Sequence, residues 1–184
     1  MGNYLMKTPA RQGSRDDFQT PPEALAPLLP YLKKDWVIWE CAEGKGILSS
    51  ALRDRGFVVK GSDILTGLDF MAWQPEEWDC IITNPPYSIK QRFLERCYHL
   101  HKPFALLLPL TTFETKKRQD LFKHYGVEVI LFDKRINFVT PSGSGSGSWF
   151  ATAWFTNGLN IGAQLTFTGL VMKRCSQSAM ELKC

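Results

Sequence analysis

The stretch WDCIITNPPYSIKQRF, Trp78–Phe93, decides the fold: an apolar run closes on Ile81 and Ile82 and passes at once into Asn84-Pro85-Pro86-Tyr87. Neither proline has an N–H to offer a strand ladder, so a central strand must end before them. The next segment, IKQRFLERCYHLH, takes helical spacing. A buried strand, a rigid polar turn and a helix in succession form one unit of an α/β sheet.

Working outward, the unit recurs. DWVIWE, FVVKGSDI, FALLLPL, VEVILF and SWFATAWF read as strands, GILSSALRDRG as a helix stopped at Gly56, and KKRQDLFKHYG as a helix ended by Gly126. TPPEALAPLLPYL, with Thr20 as N-cap, proline in the first turn and Glu23 three residues on, reads as a helix start. Strands alternating with helices imply a mostly parallel sheet with helices on both faces. Ligands bind such sheets beyond the carboxyl ends of the strands. Glu40, Asp63, Asn84 and the TTFETKK segment all follow strands, and are expected on one edge.

The 184 residues, 44% hydrophobic and 22% charged, suit one domain with a single core and argue against disorder. No apolar run approaches the roughly 18 residues that span a membrane. The opening MGNYLMKTPARQGSR lacks the apolar stretch of a secretion signal, and Met6 stands where a myristoylation motif needs Ser or Thr. A cytoplasmic protein is expected. Five cysteines without a C-x-x-C pair and three histidines without ligand spacing indicate neither a disulfide framework nor a metal site; buried thiols are the expectation. PSGSGSGS, 141–148, reads as a flexible hairpin loop or as a flap beside the substrate mouth.

Gly44 and Gly46, between the first strand and its helix, allow backbone amides close to a ligand, although a plain tight turn would use them too. Glu40 ends the first strand, and Asp63 ends the second, 17 residues after Gly46. A carboxylate at the second position accepts hydrogen bonds from ribose hydroxyls. Together these features favour an adenosine-containing cofactor, and the absence of a G-x-x-x-x-G-K-[ST] run argues against ATP.

NPPY after an apolar strand, with G-x-G upstream, QTPPEALAPLL before it and LDFMAWQPEEWDCIITNPPY around it, resembles the class I S-adenosylmethionine-dependent methyltransferases that modify exocyclic amino groups. The likeness is greatest to γ-order N6-adenine DNA methyltransferases and runs from about Phe18 to Phe155. It implies a Rossmann-like, mostly parallel seven-stranded sheet with helices on both faces and an antiparallel last strand. It further implies methyl transfer from S-adenosylmethionine to the N6 amine of a flipped-out adenine in DNA. By the family pattern the Asn84 side-chain oxygen and the Pro85 carbonyl accept the amine's N–H groups, Pro86 stiffens the turn and Tyr87 stacks on the base. Thr20 and Pro21 would touch the cofactor's methionine part, and Glu40, Cys41, Ala42, Gly44 and Gly46 would wrap it. Asp63 would hold the ribose, Asp69 and Phe70 would bracket the adenine, and Asn84 would border both ligands. Cys41, where a proline is common, and Lys45, inside the glycine turn, depart from the pattern. RNA bases and protein glutamine amides are methylated by the same tetrapeptide in related families, and stand as alternatives.

Basic residues cluster near the expected mouth. Lys90 and Arg92 follow the tetrapeptide, Lys116 and Lys117 follow the next strand, and Lys7, Arg11 and Arg15 lie in the N-terminal arm. They are candidate phosphate contacts for a nucleic acid, taken as DNA. Phe138 and Trp149, flanking the Gly/Ser loop, are core residues or a second wall for the base. The expected organisation is a basic arm over 1–19, a catalytic domain over 20–158 and a C-terminal extension over 159–184. Only 37 residues separate Gly46 from Asn84, which leaves no room for a target-recognition domain. Recognition would then come from a short target, a partner or a second copy.

Overall fold

The computed structural model describes residues 18–140, 143–144 and 150–170. The arm residues Lys7, Arg11 and Arg15, the ring of Trp149, most of the Gly/Ser loop and the chain after Leu170 lie outside the described residues.

Strands and helices alternate as the apolar runs require: β1 (Val37–Glu40), α1 (Ile47–Arg53), β2 (Val58–Gly61), β3 (Cys80–Thr83), α2 (Lys90–His99), β4 (Phe104–Pro109), α3 (Lys116–Tyr125) and β5 (Glu128–Phe132). A short antiparallel pair, β6 (Val139–Thr140) and β7 (Gly143–Ser144), precedes β8 (Thr152–Asn157) and β9 (Leu165–Thr168). The main sheet has seven strands in the order β2-β1-β3-β4-β8-β5-β9. Strands β1 to β4 run parallel, and β8 lies between β4 and β5, antiparallel to both. This is a Rossmann-like sheet, with SWFATAWF supplying the antiparallel strand, as expected. The seventh strand is β9, parallel to β5, which sequence patterning left unassigned.

The two faces of the sheet carry separate layers, because alternate strand residues point opposite ways. Ile38, Ile82, Ala105, Leu107 and Trp154 pack with Leu48, Ala51 and Leu52 of α1 and with Ala24, Leu25 and Leu28. Trp39, Ile81, Phe104, Leu106 and Phe155 pack with Phe93, Leu94 and Cys97 of α2 and Phe122 of α3. Helices therefore cover both faces. Cys41, Cys80 and Cys97 are buried free thiols, as expected.

One local expectation fails. TPPEALAPLLPYL does not make an α-helix capped by Thr20; it forms two 3-10 turns, Pro22–Leu25 and Leu29–Tyr31. Their amides reach back three residues, as in Ala24 N to Pro21 O and Leu28 N to Leu25 O. Pro27 and Pro30 lack the N–H groups that an i to i−4 ladder would need there. The indole N–H of Trp154 donates to the Ala24 carbonyl at 2.7 Å and ties the segment to the sheet.

Candidate active site

The chain leaves β1 toward β2 on one side and returns to place β3 on the other. Strand order reverses between β1 and β3, and the crevice beyond their carboxyl ends is the place where such sheets bind ligands. Glu40 ends β1 and Thr83 ends β3, both almost fully buried. Thr83 Oγ1 donates to Glu40 Oε1 across this crevice, and the Ala42 amide donates to the same oxygen at 3.2 Å. Burial pushes the Glu40 carboxyl from 4.5 up to about 8, only partly offset by these two hydrogen bonds. Cys41, beside it, is buried, and desolvation pushes its thiol well above the usual range.

Beyond β1 the turn passes through Gly44 (φ +54°) and Gly46 (φ +74°), a left-handed conformation that L side chains rarely adopt. The Gly44 amide donates to Asp63 Oδ2 at 2.9 Å, so the carboxylate at the end of β2 closes onto the glycine turn. Asp63 Oδ1 accepts from Leu65 N at 2.8 Å. A carboxylate has about four acceptor sites, so these two bonds leave capacity for a hydroxyl. The Lys45 side chain is exposed. Its amide donates to Gln19 Oε1 at 3.2 Å.

Asn84 stands at the third position of this edge. Its Nδ2 donates to the Phe18 carbonyl at 2.8 Å, which fixes which way round the amide sits. The Oδ1 atom is buried and accepts no hydrogen bond from the described residues. Thr20 Oγ1 is another buried polar atom without a partner among the described residues, at 3% residue exposure. Tyr87 opens a short 3-10 turn, with Phe18 at 6.3 Å and 22° to its ring and Phe150 edge-on at 5.7 Å. The Lys90 ammonium donates to the Tyr87 carbonyl at 3.1 Å.

Pro21 is buried next to Thr20, and Pro85 and Pro86 carry the chain from Asn84 into the Tyr87 turn. Asp69 Oδ1 accepts from Met71 N at 2.9 Å and shapes the loop before β3. The Phe70 ring is committed to the core, stacked on Phe93 at 4.7 Å. Phe138 is also buried, and packs on Phe18 and Phe150. Arg92 is exposed. Lys116 pairs with Asp120, and Lys117 with Glu95, whose carboxyl is held below its usual range chiefly by that lysine.

Sequence reading missed several contributors. Thr83 is the ordinary last residue of an apolar strand, and only the β1–β3 pairing puts it on Glu40. Phe18 and Gln19 reach the site from over sixty and over twenty positions away in sequence, respectively. Arg118 lies buried in α3, where Nε donates to Thr112 O at 2.6 Å and so anchors the TTFET turn after β4. A separate cavity of about 530 Å³ runs along the open edge of β2 between Lys60 and Trp73, and includes none of the predicted site residues. Among the described residues no cluster of three or more His, Cys, Asp or Glu could hold a metal ion, and no helix is long and apolar enough to cross a membrane.

No family model matches the chain, and no curated protein matches it in sequence. Among solved structures it is similar to a modification subunit of a candidate type I restriction enzyme from Vibrio vulnificus YJ016, at 13% identity and TM-score 0.48, over 78% of this chain and 45% of that one. The chain thus spans less than half the length of that subunit. It is also similar to a predicted O-methyltransferase from Agrobacterium tumefaciens, at 13% identity and TM-score 0.46, over 86% of this chain and 90% of the other. A third similar structure is a dimethyladenosine transferase from Plasmodium falciparum, at 12% identity and TM-score 0.46, over 76% and 62% of the two chains.

Proposed function

We propose that this chain is an S-adenosylmethionine-dependent methyltransferase acting on the exocyclic N6 amine of adenine in DNA. The observation that carries the reading is Asn84 Oδ1, a buried acceptor with no partner among the described residues, at the carboxyl end of β3. Leaving such an atom unpaired costs about 1–3 kcal/mol, a cost that a donor arriving there would relieve. An amine N–H is such a donor. Phe18 holds the opposite end of the amide, so the acceptor is oriented before the substrate arrives.

The residues present suit the cofactor. Gly44 and Gly46 add no side chain of their own to the turn, Lys45 between them is exposed, Asp63 has acceptor capacity for ribose hydroxyls, and Thr20 Oγ1 is a buried hydroxyl without a hydrogen-bond partner among the described residues. When bound there, S-adenosylmethionine supplies an electrophilic methyl group. The chain's own part is positioning. Asn84 Oδ1 and the Pro85 carbonyl accept the amine's two N–H groups, which draws the nitrogen toward tetrahedral geometry and frees its lone pair. The double proline keeps that carbonyl in one direction with little entropy left to lose. Tyr87 offers a ring on which a flat base stacks, a contact worth about 1–3 kcal/mol.

Labelled S-adenosylmethionine incubated in parallel with unmethylated DNA, RNA and a protein extract tests this, with the nucleic acids digested and the methylated nucleoside identified by mass. N6-methyladenine in DNA is expected, and the Asn84→Ala variant should give none while binding S-adenosylhomocysteine within about fivefold of wild type. Label only in RNA or protein would reject the DNA assignment, and equal activity in the variant would reject the role of Asn84.

A further inference from the structure

The segment Phe18–Gln19 touches both ends of the site at once. Gln19 Oε1 accepts the Lys45 amide at 3.2 Å, and its side-chain amide lies 3.1–3.3 Å from the place where a Cβ on Gly44 would sit. The neighbouring Phe18 carbonyl accepts from Asn84 Nδ2 at 2.8 Å. The Phe18 ring is itself seated among Tyr87, Phe138 and Phe150, at centroid separations of 5.5–6.3 Å. Two consecutive residues therefore grip the glycine turn and the acceptor amide, which belong to different strand ends. The Phe18 carbonyl belongs to the planar peptide unit that joins it to Gln19, so a shift of that carbonyl moves the backbone from which the Gln19 side chain reaches.

From this arrangement, and resting on the function proposed above, we infer that Gln19 is a positioning residue that sets cofactor affinity and couples the glycine turn to Asn84. The Gln19 oxygen holds the turn in its left-handed path, leaving the turn ready for a ligand. It does so from an anchor that Phe18 and Asn84 keep in place. Without the Asn84 amide, the Gln19 grip has less to pull against. The two residues should then act as one unit on cofactor binding, although Gln19 hydrogen-bonds Lys45 and Asn84 hydrogen-bonds Phe18.

Calorimetric titration with S-adenosylhomocysteine, read with no acceptor substrate and no turnover, tests this on the full chain. Gln19→Met keeps the bulk of the side chain and removes its acceptor, and should weaken binding by about 3- to 10-fold, the range expected for one hydrogen bond. Gln19→Glu restores an acceptor at the same reach and should return affinity to within about threefold of wild type. In an Asn84→Ala background the further loss from Gln19→Met should shrink to less than about twofold. Melting temperatures of the free variants check that each is folded. Wild-type affinity in Gln19→Met, or equal losses in the Met and Glu variants, would overturn the acceptor role. The same fold-loss with and without Asn84 would overturn the coupling. No binding by wild type would instead sink the functional reading on which the inference rests.

Discussion

Replacing Glu40 by glutamine probes how the switch-point crevice handles charge. In the folded chain, burial pushes this carboxyl up to about 8 from an ordinary 4.5. Between those two values the folded state holds a proton that the unfolded state has lost, so the contribution of Glu40 to stability falls as pH rises. Below 4.5 the group is protonated in both states and has no effect; above about 8 it is ionised in both and the loss is complete. Within the window the slope is about 1.4 kcal/mol per pH unit, which over the interval from 4.5 to about 8 amounts to a loss on the order of 5 kcal/mol. Water reaching the carboxylate would lower that figure, not its sign. Glutamine keeps an oxygen for the Ala42 amide and the Thr83 hydroxyl but does not titrate. Urea unfolding of both proteins at pH 5 and pH 8, followed by tryptophan fluorescence, gives the difference in stability at each pH. The difference should move by several kcal/mol in favour of the glutamine variant on going from pH 5 to pH 8. A difference constant to within about 0.5 kcal/mol would mean that Glu40 ionises alike in both states, and would refute the neutral buried carboxyl.

Gly44→Ala places a Cβ at φ +54° and 3.1 Å from Gln19 Nε2. It should cost about 1–2 kcal/mol in urea unfolding and weaken S-adenosylhomocysteine binding, and an unchanged unfolding midpoint would contradict the strain at this turn. Asp63→Ala removes the acceptor of the Gly44 and Leu65 amides. A drop of at least about tenfold in cofactor affinity is expected by calorimetry, and unchanged affinity would refute a ribose contact. Arg118→Met leaves the Thr112 and Thr111 carbonyls without their guanidinium donor. Stability should fall by about 2–3 kcal/mol, and Arg118→Lys should recover only part, because an ammonium lacks the planar fork. Full recovery by lysine would show that charge alone, without the fork geometry, holds the TTFET turn.

Much of this molecule follows from short-range pattern. Apolar runs such as CIIT and FALLLP had to be strands because each is short, buried on both faces and bounded by turn residues. Gly44, Gly46, Gly56 and Gly126 punctuated the chain where positive φ was needed, and all four have it. The carboxyl-end edge was legible too, since parallel strands must bring the residues after them to one side. Local pattern misled where two tendencies competed: Thr20-Pro21-Pro22-Glu23 has the look of a capped α-helix, but Pro27 and Pro30 downstream deny it the ladder.

What the sequence by itself determined is the set of chemical groups and the sheet edge that carries them: Glu40 and the glycine turn after β1, Asp63 after β2 and Asn84-Pro85-Pro86-Tyr87 after β3. Tertiary structure alone decided how those groups are held. The Thr83 hydroxyl on Glu40, the Gly44 amide on Asp63, and Phe18 and Gln19 spanning Asn84 and Lys45 all join residues 19 to 66 positions apart. Such contacts have no local signature, because a hydrogen bond between distant residues depends on strand order and register rather than on the residue types beside it in the chain. The same cause left β9 unread: Leu165–Thr168 becomes a strand by finding the free edge of β5, while Leu165 and Phe167 stay exposed.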